Sequence, residues 1–197
     1  MSHLPTLTAY GDRADEYAAL LGSIKTTHLT DRKLIAGWAE GVCGEILDVG
    51  CGPGHWSAFL HGRGAVIRGI DPVKRFIEIA SGLYPDVEYS QGSFSDLEPE
   101  SADGILAWYS LIRMEEYEVV EALQQCHTAL CPEGTLLVGF FEGPQHEKFG
   151  HAVCPAFFWP VSQMCLLLDR SGFVVEQTSR RHDSGARPHG AIVARRR

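Results

Sequence analysis

The chain has 197 residues and a formal net charge of −8, with 45% hydrophobic and 21% charged residues. This length fits a single domain with a real core, and the composition excludes a disordered chain. The acidic balance argues against a broad nucleic-acid surface, because such a surface needs clustered lysines and arginines to neutralise phosphates. We expect no nucleic-acid partner.

The cysteines and histidines do not suggest a metal centre or a disulfide framework. Six cysteines occur without a C-x-x-C pair, and nine histidines are scattered without metal-ligand spacing. No apolar run approaches ~18 residues, and no signal peptide is apparent at the N-terminus. We therefore expect a cytoplasmic protein with reduced thiols, no metal and no membrane attachment.

Two helices are predicted before the first strand. Apolar residues recur at helical spacing between 12 and 21, and a second helix is predicted to begin after Thr30, a suitable N-cap. Gly41 and Gly44 are expected to end it. We predict that residues 1–44 form a helical cover and that residues 45–197 form the core of the same domain.

The next stretch combines a buried strand with a glycine-rich loop. Residues 46–49 form an apolar run, which predicts a strand buried on both faces, and Gly50, Gly52 and Gly54 follow directly. Glycine permits positive φ and lets a ligand lie against bare backbone, and the helix start that follows suits an anionic group. The stretch therefore predicts a ligand-binding loop.

The spacing of this loop differs from that of a dinucleotide fingerprint. A G-x-G-x-x-G fingerprint would place the third glycine one residue later, and here Asp48 stands two residues before the first glycine. The stretch Leu-Asp-Val-Gly-Cys-Gly-Pro-Gly resembles motif I of class I S-adenosylmethionine (SAM)-dependent methyltransferases, where the loop wraps the methionine part of SAM. The resemblance implies SAM as the cofactor, bound also by Asp48, Cys51 and Trp56. N-terminal helices lie across the cleft in that family, so Tyr10 and Tyr17 either cover the ligand or pack the helix on the core.

An acidic residue ends the second predicted strand, which spans residues 65–70. Asp71 lies about twenty residues beyond Gly50, where nucleotide-binding α/β folds place a carboxylate on the ribose hydroxyls. Pro72 fits the first position of the next helix, so Asp71 would also suit its N-cap. The two roles are compatible, and we expect ribose binding.

The third predicted strand, 87–90, leads into a second candidate loop. The resemblance implies that this loop, with Gly92, Ser93 and Phe94, touches the adenine. Phe94 either stacks on the adenine ring or packs in the core.

The fourth predicted strand, 102–110, ends in aromatic residues. Residues 105–114 resemble motif IV and its extension in small-molecule methyltransferases. Ligands of open α/β sheets bind beyond the carboxyl ends of strands, which places Trp108, Tyr109 and Ser110 beside the sulfonium and the acceptor. Relatives often carry His at the position of Arg113, and because arginine stays protonated a base role does not carry over to it.

The second half of the chain completes the predicted sheet. Residues 130–138 resemble the Leu-x-Pro-Gly-Gly-x-Leu-Leu motif, with Glu133 in place of one glycine, and predict a helix end, a turn and the fifth strand. The other predicted elements are helices at 73–83, 115–130 and 162–170 and strands at 174–179 and 191–195. We predict an α/β, Rossmann-like three-layer sandwich with a seven-stranded, mostly parallel sheet and an antiparallel edge hairpin.

Residues 142–159 are predicted to form a long insert after the fifth strand. Its position suits a lid over the substrate, and the alternative is a surface loop anchored by its aromatic residues. The candidates for a catalytic base are Tyr109, His146 and His151.

These patterns predict a SAM-dependent methyltransferase that acts on a small organic acceptor by in-line displacement. The sulfonium is already an activated leaving group, so the enzyme mainly aligns the reactants, and a base is needed only for acceptors that must lose a proton. The alternatives are a non-catalytic SAM-binding protein and an NAD-binding Rossmann oxidoreductase. A homodimer is a possible assembly.

Overall fold

The computed structural model describes residues 13–151 and 154–197, and these form one nine-stranded sheet flanked by helices. The strands are β1 Glu45–Val49, β2 Val66–Asp71, β3 Glu88–Gln91, β4 Ala102–Trp108, β5 Leu130–Glu142, β6 Glu147–Phe149, β7 Ala156–Trp159, β8 Phe173–Arg181 and β9 His189–Arg196. The helices are α1 Ala14–Leu21, α2 Leu29–Glu40, α3 His55–His61, α4 Lys74–Leu83, α5 Glu116–Ala129 and α6 Val161–Arg170, with short 3₁₀ helices at Ile24–Thr26 and Phe94–Asp96.

The predicted fold class is confirmed by the strand order. Strands β3, β2, β1, β4 and β5 lie side by side and parallel, and the far side of β5 pairs with the antiparallel hairpin of β8 and β9. The order reverses between β1 and β4, which is the switch point where open α/β sheets bind ligands.

The side chains of each strand contribute alternately to two apolar cores, because successive side chains point to opposite faces of the sheet. Ile105 and Ala107 of β4 pack with α5 and α6 on one face, whereas Leu106 and Trp108 pack with α2 and α3 on the other. This three-layer packing holds the carboxyl ends of β1 and β4 rigidly side by side.

The insert at 142–159 is more ordered than predicted. It contributes β6 and β7, which pair with each other, and β7 continues the sheet by pairing with Phe141 and Glu142 of β5. The sheet therefore has two strands more than the predicted seven. Trp159 and Phe157 are buried, so the insert is anchored by its aromatic residues.

Two predicted helix starts are wrong, and side chains explain both. Helix α2 begins before Thr30, because Nδ1 of His28 accepts a hydrogen bond from the Thr30 N–H and acts as the N-cap. Helix α4 begins at Lys74, one residue after the predicted start at 73 and two after Pro72, because Oδ1 of Asp71 accepts the N–H of Val73 and forms a turn first.

The predicted turn at 130–134 is a bulge within β5. The strand pairs with Ala102 at Leu130 and with Gly104 at Thr135, which leaves extra residues between the two pairs. Glu133 lies there at φ 66°, a left-handed conformation that favours glycine. This explains why the resembling motif has glycine at this position.

Candidate functional site

A cavity of about 1130 Å³ opens at the carboxyl ends of β1, β2 and β4. Small-molecule sites usually have volumes of roughly 300–1000 Å³, so this cavity can hold more than one small molecule. The predicted cofactor residues that line it are Tyr17, Asp48, Gly50, Cys51, Gly52, Trp56, Asp71, Pro72, Ser93, Phe94, Trp108 and Tyr109. Tyr10 lies outside the described residues.

Two of the three loop glycines are required by close packing. Gly50 has φ 78°, and a Cβ there would lie 2.5 Å from Cβ of Ser110. Gly54 has φ 81° and is the N-cap of α3, and a Cβ there would lie 2.6 Å from the hydroxyl of Tyr89. Gly54 does not line the cavity, so its role is to let the loop turn against β3.

Gly52 differs from the other two glycines. It has φ 53°, and no atom lies within 4 Å of the position that a Cβ would occupy. Since Gly52 lines the cavity, its bare backbone adjoins open space where a ligand can approach.

Asp71 fastens this loop to the end of β2. Its Oδ2 accepts the N–H of Gly52 at 2.9 Å, and its Oδ1 accepts the N–H of Val73 at 2.8 Å. Burial raises the pKa of Asp71 to about 6, although both backbone hydrogen bonds oppose the shift. Each carboxylate oxygen has further lone pairs, so the group can still accept hydroxyl donors from a ligand.

A second buried carboxylate lies beneath the loop. Asp48 is 2% exposed, and the hydroxyl of Ser57 on α3 donates to its Oδ2 at 2.6 Å. Burial raises the pKa of Asp48 to about 7, and the hydrogen bond from Ser57 opposes the shift. The site thus has two acidic groups whose ionised forms are destabilised by burial and would be stabilised by a cation or by hydroxyl donors.

The loop after β3 contributes two of its three predicted residues. Ser93 and Phe94 line the cavity, and Phe94 is also buried in the core, so its two proposed positions are compatible. Gly92 does not line the cavity, and its N–H donates to the backbone carbonyl of Asp71 at 3.2 Å.

Aromatic side chains line one part of the cavity, which we call the aromatic end and define by Tyr109, Phe141 and His151. The rings of Tyr109 and Phe141 lie 4.9 Å apart, and those of Phe141 and His151 lie 5.4 Å apart. A guanidinium nitrogen of Arg113 lies 3.1 Å from Nδ1 of His151.

The three predicted base candidates have different surroundings. Burial and the positive charge of Arg113 lower the pKa of His151 to about 4, so its imidazole is a weak base. His146 does not line the cavity, because its ring stacks on those of Phe157 and Trp159 at 4.6 and 3.9 Å. Tyr109 lines the cavity and is hydrogen-bonded to Nδ1 of His189.

Sequence reasoning missed a group of charged residues beside the aromatic end. Asp31 of α2 lies 2.9 Å from Arg181 of β8, although 150 positions separate them in the chain, and both line the cavity. His189 starts β9, and because β9 is antiparallel its first residue lies at the same edge as the last residues of β4 and β5. The antiparallel hairpin predicted from the sequence was the signal that could have found His189, because the residues before an antiparallel last strand lie at the edge where the parallel strands end.

Within residues 13–151 and 154–197, no cluster of three or more His, Cys, Asp or Glu side chains could hold a metal ion. The same residues include no helix with the length and hydropathy needed to cross a membrane. All six cysteines are free, and Cys51 and Cys126 are buried.

The strand order, the glycine loop and the acid after β2 form a Rossmann-like architecture of the kind that the resemblance to class I methyltransferases implies. Residues 46–134 match the family model of the methyltransferase domain, which confirms the resemblance to this class. Over 96 residues the chain is 34% identical to trans-aconitate 2-methyltransferase of Escherichia coli, a match that covers 47% of this chain and 37% of the relative. The chain spans less than half the length of the curated relatives that it matches.

Solved structures share the fold over nearly the whole chain. One is 1,6-didemethyltoxoflavin-N1-methyltransferase of Burkholderia thailandensis with bound 1,6-didemethyltoxoflavin and S-adenosylhomocysteine, at 19% identity and a TM-score of 0.77, covering 98% of this chain and 90% of that chain. Another is magnesium protoporphyrin IX methyltransferase of Synechocystis with bound SAM, at 15% identity and a TM-score of 0.78, covering 100% of both chains. At these identities the likeness concerns the fold.

Proposed function

We propose that the protein binds SAM and transfers its methyl group to a small organic acceptor. The observation that carries the proposal is the backbone of Gly52, which adjoins open cavity and is held by the buried carboxylate of Asp71. In this arrangement the glycine loop holds the methionine part of SAM, Asp71 accepts the ribose hydroxyls, and Ser93 and Phe94 contact the adenine.

In this proposal, one part of the cavity binds SAM and the aromatic end binds the acceptor. Asp48 supplies negative charge near the loop, where the ammonium group of SAM would lie, and Trp56 and Trp108 form an apolar wall with rings 5.9 Å apart. The acceptor occupies the aromatic end, where packed rings exclude water and orient a planar or apolar molecule. SAM supplies the activated methyl group when it is bound.

The names of the similar proteins described above support a small acceptor. They include methyltransferases named for trans-aconitate, for 1,6-didemethyltoxoflavin and for magnesium protoporphyrin IX. These acceptors differ widely in size and chemistry, so they support a class of acceptor rather than one molecule. The absence of a nucleic-acid partner, the homodimer and the cytoplasmic location stay predictions.

Calorimetry on the purified protein tests the cofactor. We expect SAM and S-adenosylhomocysteine to bind with 1:1 stoichiometry and NAD to give no heat. Binding of NAD without binding of SAM would favour the oxidoreductase alternative. Binding of SAM without release of S-adenosylhomocysteine in the presence of any acceptor would favour the non-catalytic alternative.

We expect the affinity for SAM to rise with pH across the range from about 5 to about 7. The pKa values of Asp71 and Asp48 are raised to about 6 and about 7, whereas an exposed Asp has a value of about 3.9. SAM binding favours the ionised carboxylates, so protonation competes with it below these values. Calorimetry at several pH values measures the change, and an affinity that is constant across this range would contradict it.

For the protein without ligand, we expect Asp48 and Asp71 to lower the free energy of unfolding as pH rises. Because their pKa values are higher in the folded state, the folded state binds more protons than the unfolded state above pH ~4. The free energy of unfolding contributed by Asp48 and Asp71 therefore falls as pH rises from about 4 to about 7. Urea unfolding of the free protein and of its Asp48→Asn variant measures this contribution, and the variant should lose part of the slope.

A further inference from the structure

Three side chains form a path from the aromatic end of the cavity into the protein. Tyr109 lines the cavity, and its hydroxyl is hydrogen-bonded to Nδ1 of His189. The other ring nitrogen of His189, Nε2, lies 3.8 Å from Oδ1 of Asp31. His189 is 3% exposed, so the path leads from the cavity wall to buried groups.

Asp31 favours one direction for the hydrogen bond between Tyr109 and His189. A carboxylate that faces Nε2 favours the tautomer with its proton on that nitrogen. Nδ1 is then an acceptor, and the hydroxyl of Tyr109 donates to it. The hydroxyl oxygen of Tyr109 retains lone pairs that can accept a hydrogen bond from a molecule in the cavity.

The backbone holds Tyr109 in a conformation that aromatic residues rarely adopt. Its φ is 60°, in the left-handed region, and its N–H donates to the carbonyl of Gly139 at 2.9 Å. Its ring packs against those of Trp108 and Phe141. Strained residues that are held in this way concentrate at functional sites, and here the strain directs a tyrosine to the end of β4.

The charged groups around His189 come from two parts of the chain, the start of α2 and the end of β8. Asp31 lies on α2, Arg181 and Asp183 lie at and just beyond the end of β8, and His28 caps α2. Burial and the positive charge of Arg181 lower the pKa of His189 to about 4, so its imidazole is neutral and, like that of His151, a weak base in the free protein. It takes up a proton only when methyl transfer makes the proton of the acceptor strongly acidic. Burial raises the pKa of Tyr109, so its hydroxyl stays protonated unless the proton can move to His189.

Resting on the proposed methyl transfer, we propose that Tyr109 takes the proton of the methyl acceptor while it passes its own proton to His189. The acceptor atom forms a bond to the methyl carbon of SAM, the bond from that carbon to sulfur breaks, and its electron pair goes to sulfur. The proton of the acceptor moves to the oxygen of Tyr109, and the proton of Tyr109 moves to Nδ1 of His189. Asp31 positions the imidazole and stabilises its positive charge. The acceptor class is therefore a hydroxyl or N–H compound that must lose a proton.

Nitrogen NMR of the imidazole tests the direction of proton transfer without any substrate. In the full-length protein saturated with S-adenosylhomocysteine, we expect His189 to carry its proton on Nε2 and to have an unprotonated, hydrogen-bonded Nδ1. The Tyr109→Phe variant should shift the Nδ1 resonance, whereas the Tyr84→Phe control should not. A proton on Nδ1 in the wild-type protein would overturn the relay, because Tyr109 could not then donate to it.

Steady-state release of S-adenosylhomocysteine tests the role in turnover. The probes are a phenol, a catechol and an imidazole, which lose a proton on methylation, and a pyridine, which does not. For the probes that lose a proton, we expect Tyr109→Phe to lower kcat by about 100- to 10,000-fold. The rate of the wild-type protein should fall as the pH drops toward about 4, where His189 becomes protonated, and His189→Gln should remove this fall, whereas the exposed His182→Gln control should keep it.

Binding separates this inference from the proposed function. Tyr109→Phe keeps the ring that lines the cavity and removes only the hydroxyl, and His189 is not among the predicted cofactor residues. Both Tyr109→Phe and His189→Gln should therefore bind S-adenosylhomocysteine within about threefold of the wild-type affinity. Equal losses of kcat for the pyridine and for the phenol would mean that Tyr109 acts structurally, and would overturn the relay. The relay would also be overturned if the wild-type protein bound SAM but methylated only the pyridine, or none of the four probes. Failure of the wild-type protein to bind SAM would overturn both.

Discussion

We expect Gly52→Ala to lower the affinity for SAM by about 10- to 100-fold, because the new methyl group would occupy the space next to the loop backbone. No atom lies within 4 Å of that position, so the protein itself has room for the methyl group and only a ligand would be displaced. Loss of one charge-assisted hydrogen bond to the backbone costs about 1.5–3 kcal/mol, which gives this range. Calorimetry with S-adenosylhomocysteine measures the change.

Gly64→Ala is the matched control for this substitution. Gly64 is an exposed turn residue at φ 93° after α3, and a Cβ there also has no atom within 4 Å. Both variants carry a comparable conformational cost of about 1–2 kcal/mol for a left-handed alanine. The two should therefore unfold at similar temperatures, and only Gly52→Ala should bind the ligand weakly. Equal affinities in the two variants would show that the ligand does not approach Gly52.

We expect Asp71→Asn to lower the affinity for SAM by at least about 100-fold. Both carboxylate oxygens accept backbone N–H groups, so the amide NH₂ of an asparagine would face Gly52 or Val73 as donor against donor. The substitution thus weakens the loop and removes the charge that would hold the ribose hydroxyls. Adenosine should lose affinity together with S-adenosylhomocysteine, because it contains the same ribose.

The control for Asp71→Asn is Asp86→Asn, an exposed position in the turn after α4. It removes one negative charge without touching the cavity and should leave binding unchanged. A backbone ¹H–¹⁵N spectrum of Asp71→Asn should change at the loop and retain the dispersion of the folded core. If the variant kept this core spectrum and bound both ligands normally, the proposed ribose contact would be wrong.

The strands and the glycine loop could be predicted because their signals are local. Ile46, Leu47 and Val49 are apolar, as a strand buried on both faces requires, and the glycine loop directly follows. The spacing from Gly50 to Asp71 spans one strand–helix–strand unit, whose length is set by the connection itself. Helix starts were less predictable, since His28 and Asp71 each use a side chain that also serves in turns.

The sequence by itself determined the fold class, through the resemblance carried by its motifs, and the loop proposed to hold the cofactor, because strand periodicity and motifs involve residues close together in the chain. Only the tertiary structure decided which groups meet at the aromatic end. Tyr109, His189 and Asp31 come from a strand end, the start of an antiparallel strand and a helix, and Asp31 and Arg181 are 150 positions apart. The proximity of these residues depends on how the last strand pairs with the sheet and how α2 packs over it. Each residue alone has the sequence signature of an ordinary surface or core position.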